Sequence, residues 1–422
     1  MGYAAEKKGG KRGVDALNIA LVTVGSVVLV VGLLSNPIRR SPVSTPMLAL
    51  LAGVLLGPAV SGLLDPAGWG SRTTILEQAT RLTLAVSLMG VALRLPEAFP
   101  LRRWRTLAVL LGVVMPLMWL ASGLLVYLIL GLPFLVALLI GAAITPTDPV
   151  VSSTIVTGEV AEENLPGRLR HTLAAESGFN DGLAYPFVLL PILLLTRPPG
   201  EALSHWLTRT LLWEVGFALV FGAILGYGAG RLMEWAKRRD AVEESFFLAY
   251  TLALSLVVLG AAKLLGSDGI LAVFVAGLGF DFAVGGDRRQ QQRVQEAVTR
   301  FFILPIFVLL GLTLPWQGWV ELGWGAPVLV VAVLLLRRLP AVLATRGLLG
   351  TVDGRDEALF LGWFGPIGVA ALFYANLSLR ETGVEAAWTV GSLLIFASVL
   401  AHGVTATPLT RLYGKRDRRD GG

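Results

Sequence analysis

The sequence contains no cysteine and only three histidines in 422 residues. The absence of cysteine excludes disulfide bonds, thiolate metal sites and cysteine nucleophiles, and the scarcity of imidazole argues against a transition-metal site. Charged residues are also few, at 15% of the chain. Hydrophobic residues make up 55%, the mean hydropathy is +0.71, and the apolar residues come in blocks of membrane-spanning length. This composition predicts an all-α polytopic membrane protein.

The hydropathy pattern divides the chain into about thirteen transmembrane helices within a single domain, followed by a short tail at 414–422. Lys and Arg are concentrated in alternate loops and in the tail. By the positive-inside rule, the C-terminus is therefore cytoplasmic and the N-terminus is outside, in a multi-pass protein of the cell membrane.

Two predicted spans are interrupted near their middles. In the fifth span, Pro146 and Pro149 would each cost a continuous helix about 3 kcal/mol, because proline lacks a backbone donor. In the twelfth span, Gly365 and Pro366 mark a similar break. The breaks lie seven spans apart, so their helices cross the membrane in opposite directions. This pattern predicts inverted repeats with two unwound helices that meet at the midplane.

Two carboxylates lie close to the predicted midplane. Asp148 lies in the first break and Asp181 lies in the next span, where a charge costs on the order of 3 kcal/mol. Asp148 precedes a proline, which favours a helix-capping and structural role. Ser177, Asn180 and Asp181 share one helix face, so a hydroxyl, an amide and a carboxylate converge there. Such hard oxygen ligands suit a small alkali cation.

Asp181 is the expected exchangeable group, because its carboxyl group can hold either a proton or an alkali cation. Competition between the two ions would produce exchange. Since the neighbouring residue is Asn180 and not a second acid, we expect one-for-one electroneutral exchange of Na⁺, Li⁺ or K⁺ for H⁺ by a secondary antiporter without a cofactor. A K⁺/H⁺ antiporter is one alternative. An intramembrane aspartyl enzyme or a passive cation channel are alternatives of another class.

The remaining deep charges are expected to form ion pairs. Arg338 lies well inside the eleventh span, and Glu176 is an available acid in the paired repeat. We predict a structural ion pair between them, with Arg337 as the alternative partner of Glu176. Glu77 and Arg81 are four residues apart and predict a local pair.

At these residues the sequence resembles the monovalent cation/proton antiporters of the NhaP/NHE class, the electroneutral Na⁺/H⁺ exchanger family. The resemblance covers most of the chain, and an Asn-Asp pair marks the electroneutral branch of that family. The resemblance is carried by four stretches: Thr147-Asp148-Pro149-Val150, Glu176-Ser177-Gly178-Phe179-Asn180-Asp181-Gly182, Arg338 before Pro340, and Gly362-Trp363-Phe364-Gly365-Pro366.

The resemblance implies an NhaA/NhaP-like fold in which Asp181 binds both ions and Thr147 and Ser177 supply cation ligands. It also implies that Asn180 and Asp148 hold the crossing geometry. The expected assembly is a homodimer, in which a core of residues 106–195 and 326–410 moves against a dimerisation domain of residues 16–95 and 209–314. One departure leaves the choice among Na⁺, K⁺ and Li⁺ open: the third span lacks the acid that sodium-selective relatives often place near the site.

Overall fold

The structure, a computed structural model, describes residues 18, 21–34, 37–38, 41, 43–148, 151, 153–243, 246–285 and 289–420. Those residues form helices and connecting loops, and no β-strand occurs among them. The helices are α1 Leu21–Leu33, α2 Thr45–Leu56, α3 Arg72–Ala92, α4 Trp104–Leu130, α5 Phe134–Ala143, α6 Ser153–Val156, α7 Glu159–Asn164, α8 Gly167–Thr196, α9 Pro199–Arg238, α10 Phe246–Leu264, α11 Gly269–Val284, α12 Arg289–Leu312, α13 Trp316–Glu321, α14 Gly325–Leu336, α15 Leu339–Thr345, α16 Arg355–Trp363, α17 Val369–Thr382 and α18 Glu385–Asp420. Short helical turns lie at Pro66–Trp69, Phe99–Arg102 and Arg346–Leu348.

Within the described ranges, six helical segments are long and apolar enough to cross a membrane by length and composition. They are α4, α8, α9, α10, the α14–α15 segment that runs on to Leu348, and most of α18. Shorter apolar helices include α1, α2, α5, α11 and much of α12. The helical membrane architecture is thus confirmed, whereas the number thirteen stays a prediction. Part of the first predicted span lies outside the described residues.

The structure confirms the two interrupted helices. Helix α5 ends at Ala143, and the chain is non-helical from Thr145 to Asp148 before the short helix α6. Pro149, which we expected to contribute to this break, lies outside the described residues. In the second break, α16 ends at Trp363 and α17 begins at Val369.

The two unwound stretches touch each other. The Asp148 N–H donates to the Pro366 carbonyl over 2.8 Å. This backbone contact joins segments more than two hundred residues apart in the sequence. It therefore fixes the position at which the two interrupted helices cross.

A third interruption separates α14 from α15 at Arg337 and Arg338. Pro340 lies in the first turn of α15 and lacks the N–H that would continue the hydrogen-bond ladder. Both arginine side chains are almost completely buried. The break thus delivers two buried guanidinium groups next to the crossing.

Helix α8 carries the Asp181 motif and packs closely on α11. A Cβ atom on Gly178 would lie 2.2 Å from the Phe274 ring, and one on Gly182 would lie 2.7 Å from Leu271 Cβ. Only glycine permits this approach. The site-bearing half of α8 therefore lies directly against α11.

The two ends of α8 define two faces of the protein. At its first turn, Arg168 pairs with Glu357, whose Oε1 also accepts a hydrogen bond from the Tyr413 hydroxyl over 2.9 Å. We call this the C-terminal face, because α18 runs on from Tyr413 to Asp420. Where α8 ends, α9 begins after a short turn, and we call this the Thr196 face.

The predicted local pair between Glu77 and Arg81 is wrong. Glu77 Oε2 pairs with Arg380 Nη1 on α17, whereas Arg81 Nη1 donates to Gln78 Oε1 over 3.1 Å. Helix α3 packs against α17, as the bond from Asn376 Nδ2 to the Thr73 carbonyl also shows. This packing brings a distant arginine to Glu77 in place of the neighbour four residues on.

Candidate functional site

The Asp148 carboxylate lies at the crossing and accepts backbone hydrogen bonds from the turn before α6 and from the first residue of α17. Its Oδ2 accepts from Val369 N over 2.5 Å, and its Oδ1 accepts from Val151 N over 3.4 Å. A Cβ on Gly368 would lie 2.0 Å from Asp148 Oδ2, so glycine is required for this approach. Asp148 therefore caps the otherwise unsatisfied first amide group of α17 and, at the longer distance, the amide group of Val151.

Thr147, Ser177 and Asn180 are brought together at the same break. Asn180 Oδ1 accepts from Thr147 N over 3.0 Å, and Asn180 Nδ2 donates to Thr147 Oγ1 over 2.7 Å. Thr147 Oγ1 also lies 3.1 Å from Ser177 Oγ. This network ties the unwound chain to α8 and uses both ends of the Asn180 amide.

Asp181 lies next to this network and is only 1% exposed. Its Oδ1 is buried and has no hydrogen-bond partner among the residues that the structure describes. Leaving a carboxylate oxygen in this state is costly unless it binds an ion or a proton. The Asp181 carbonyl accepts from the Tyr374 hydroxyl over 2.6 Å, so α17 holds this turn of α8 in place. No feature of the sequence pointed to Tyr374.

Arg337 joins the two breaks in a way that the sequence reasoning missed. Its Nη1 donates to the carbonyl groups of Ile144 and Thr145, and its Nη2 donates to the Gly365 carbonyl. These carbonyls belong to the C-terminal ends of α5 and α16, where unsatisfied acceptors carry partial negative charge. The guanidinium satisfies both half-helices at once. Two adjacent arginines in an apolar span need two sets of hydrogen-bond acceptors, and Glu176 can supply only one. This requirement could have predicted that Arg337 bonds backbone carbonyl groups.

Arg338 pairs with Glu176, in the arrangement that the sequence favoured over Arg337. Its Nη1 and Nη2 lie 2.5 and 2.7 Å from Glu176 Oε1 and Oε2, and its Nε donates to the Leu361 carbonyl over 3.0 Å. Arg338 is 2% exposed and Glu176 is 1% exposed. This bidentate contact links α8 to α15 and α16.

Comparisons with known proteins agree with this architecture. Residues 25–412 match the family of transmembrane sodium/hydrogen exchangers. The chain is 34% identical over 392 residues to Na⁺/H⁺ antiporter 2 of Zygosaccharomyces rouxii, and this alignment covers 85% of the chain and 48% of that relative. It is 30% identical over 430 residues to a Na⁺/H⁺ antiporter of Schizosaccharomyces pombe, and this alignment covers 95% of the chain and 92% of that relative. The chain spans about half the length of several of the curated relatives it matches.

The fold is also similar to that of the sodium proton antiporter MjNhaP1 from Methanocaldococcus jannaschii. The TM-score is 0.68 at 19% identity, and the alignment covers 93% of this chain and 96% of that one. The resemblance and the fold expected from the sequence are therefore confirmed. The chain belongs to the sodium/hydrogen exchanger family of multi-pass membrane proteins.

Proposed function

We propose that the chain is a secondary antiporter, not an enzyme, which exchanges a monovalent cation for a proton across the membrane. The observation that carries this proposal is the buried Asp181 carboxyl group, with its free Oδ1, beside the hydroxyl groups of Thr147 and Ser177. A cation would take Asp181 and these two hydroxyl groups as hard oxygen ligands. A proton would take the same carboxyl group, so the two ions compete.

The expected stoichiometry is one cation for one proton. Asn180 is neutral, and its amide is already engaged with Thr147. Asp148 accepts backbone amide hydrogen bonds and stays in its capping role. One exchangeable acid therefore remains, and each half-cycle carries a single positive charge. The same capping weakens the case for an aspartyl enzyme, which needs two equivalent acids.

Alternating access would move the core, residues 106–195 and 326–410, against a dimerisation domain of residues 16–95 and 209–314. Arg337 and the Glu176–Arg338 pair keep the two halves of the core together during that movement. We further propose a homodimer in the cell membrane, with the C-terminal face in the cytoplasm and the Thr196 face outside. No cofactor is needed for this cycle, because the transported ions supply the driving force.

The proposed cation is Na⁺, the ion in the names of the two fungal relatives. K⁺ is the alternative, because residues 86–90 of α3 contain no acid near the site. A series of Li⁺, Na⁺ and K⁺ pulses in one transport assay separates these possibilities.

The test uses purified protein in vesicles that contain a pH-sensitive dye. Adding the transported cation to vesicles with an acidic lumen should alkalinise the lumen without an ionophore, and Asp181→Asn should abolish the signal. Asp356→Asn is the matched control, because its side chain is 56% exposed at the C-terminal face. A steady current at fixed voltage would favour a channel. Full exchange by Asp181→Asn would refute the proposal.

A further inference from the structure

A second pair of largely buried acids lies away from Asp181, towards the Thr196 face. Glu214 belongs to α9, and Asp268 precedes the first residue of α11. The Asp268 N–H donates to the Glu214 carbonyl over 3.1 Å, and the Ser267 hydroxyl donates to the same oxygen over 2.8 Å. The loop before α11 is therefore fastened to α9 at Glu214, and the two acidic residues are held together.

Each of these acids has one oxygen engaged and a second oxygen without a hydrogen-bond partner among the residues that the structure describes. Asp268 is 6% exposed, and its Oδ1 accepts from Ile270 N and Leu271 N over 2.9 and 3.2 Å. Glu214 Oε1 lies 3.7 Å from Arg209 Nε. Asp268 Oδ2 and Glu214 Oε2 are both buried and have no hydrogen-bond partner in the described part of the chain. A buried carboxylate oxygen in this state is costly unless it binds an ion or a proton.

A hydroxyl group completes the set of free oxygens. Thr210 is fully buried and lies four residues before Glu214, so its hydroxyl group is on the same side of α9 as that carboxylate. Thr208 makes the usual bond to the carbonyl four residues earlier, over 2.7 Å, but Thr210 Oγ1 has no partner that meets hydrogen-bond geometry among the described residues. Residues Trp206–Phe217 form a π-helix. This conformation is rare in proteins, and where it occurs it is often at a functional site.

These oxygens lie near the turn of α8 that follows Asp181. Tyr185 is one helical turn beyond Asp181 on α8, about 6 Å along the axis, and it interacts with both Glu214 and Asp268. The Tyr374 hydroxyl, which bonds the Asp181 carbonyl, also interacts with Asp268. Two tyrosine side chains therefore lie near both the two acids and the Asp181 turn of α8.

We propose that Thr210, Glu214 and Asp268 form a second alkali-cation site, which receives the cation at the Thr196 face before it reaches Asp181. Hard oxygen ligands with two carboxylates favour a cation, and Arg209 beside Glu214 keeps the site weak enough to release it. This inference rests on the proposed antiport for its role in transport, but not for the binding itself. The alternative explanation for the unpartnered oxygens is a proton that the two carboxylates share in place of a cation.

The transport test compares the two faces of the membrane in vesicles whose protein orientation is scored by protease access to a C-terminal tag. Asp268→Asn removes the charge and keeps a side chain that can still cap α11. It should raise the KM for Na⁺ applied at the Thr196 face roughly fivefold, or about 1 kcal/mol, and leave Vmax and the opposite KM unchanged. Thr210→Val should change the same KM in the same direction.

The matched control is Glu201→Gln, which removes an acid at the same face whose side chain is 61% exposed and paired with Arg197. It should leave both KM values unchanged. An unchanged KM in Asp268→Asn, an equal change at both faces, or the same change in Glu201→Gln would each overturn the inference. The last outcome would mean that surface charge alone concentrates the cation.

A binding measurement separates this inference from the proposed function. Asp181→Asn protein in detergent should still bind radioactive Na⁺, and adding Asp268→Asn should remove that binding. Absence of Na⁺ binding in Asp181→Asn protein that remains folded would refute the second site and favour the shared proton. If wild-type vesicles show no exchange, the proposed antiport fails, while the binding measurement still decides whether the second site exists.

Discussion

The buried ion pair between Glu176 and Arg338 permits a quantitative test of what holds the core together. Both side chains are almost wholly excluded from solvent, and two charge-assisted hydrogen bonds of 2.5 and 2.7 Å join them. Glu176→Gln preserves the shape of the acid without its charge. Arg338→Met removes the guanidinium and leaves the carboxylate buried.

Each single substitution should lower the free energy of unfolding by about 3–5 kcal/mol, because the remaining charge is left without its partner. Glu176→Gln leaves a buried guanidinium, and Arg338→Met also removes the bond to the Leu361 carbonyl. The double variant leaves no uncompensated charge. Its loss should therefore fall short of the sum of the single losses by about 2 kcal/mol.

The assay is reversible unfolding in mixed micelles, with the SDS fraction as denaturant and all four proteins in one lipid and detergent mixture. The control cycle uses Arg197 and Glu201, whose nitrogen–oxygen distance is 3.4 Å and whose side chains are 38% and 61% exposed. That pair should contribute less than about 1 kcal/mol. Additive losses for Glu176→Gln and Arg338→Met would refute the reasoning, since the pair would then contribute nothing through its own contact.

Two further predictions concern the crossing. Gly368→Ala places a Cβ 2.0 Å from Asp148 Oδ2, so it should lower the free energy of unfolding by about 1–3 kcal/mol and stop exchange. Gly347→Ala is the control, because its new Cβ would have no described atom within 4 Å. It should change the free energy of unfolding by less than about 0.5 kcal/mol. Equal behaviour of the two alanine variants in denaturation and transport would contradict this account. Arg337→Met leaves the carbonyl groups of both breaks unsatisfied, which should lower the free energy of unfolding by about 1–3 kcal/mol per group. Arg337→Lys should restore little of that stability, because an ammonium group cannot span both breaks. Near-complete rescue of thermal stability and exchange by lysine would show that charge alone matters there.

Sequence reasoning located the crossing because its signals are local. Pro146 and Pro366 remove backbone donors wherever they stand, so the breaks could be predicted without knowing the packing. Asp148 and Asp181 were identified for a similar reason, since a charge in an apolar span is costly in any fold. The structure places these residues where the two breaks meet.

The contacts that sequence reasoning missed depend on helix packing. Glu77 pairs with a residue 303 positions away, and a helical four-residue rule cannot find such a partner. Arg337 bonds carbonyls 193 and 28 positions away, and both are available only because the two helices are broken. Sequence also left open which arginine faces Glu176, because the break before Pro340 changes the direction of both side chains.

In the proposed cycle, the Asp181 carboxyl group binds the cation and the proton in turn, and proton release can therefore be measured directly. The most direct test is the proton release that accompanies cation binding by purified protein in unbuffered detergent solution. The wild-type protein should release one proton for each cation bound at the Asp181 site, and Asp181→Asn should release none on saturation with the same cation. Saturation of the wild-type protein with cation without any proton release, or equal release from Asp181→Asn, would contradict the account.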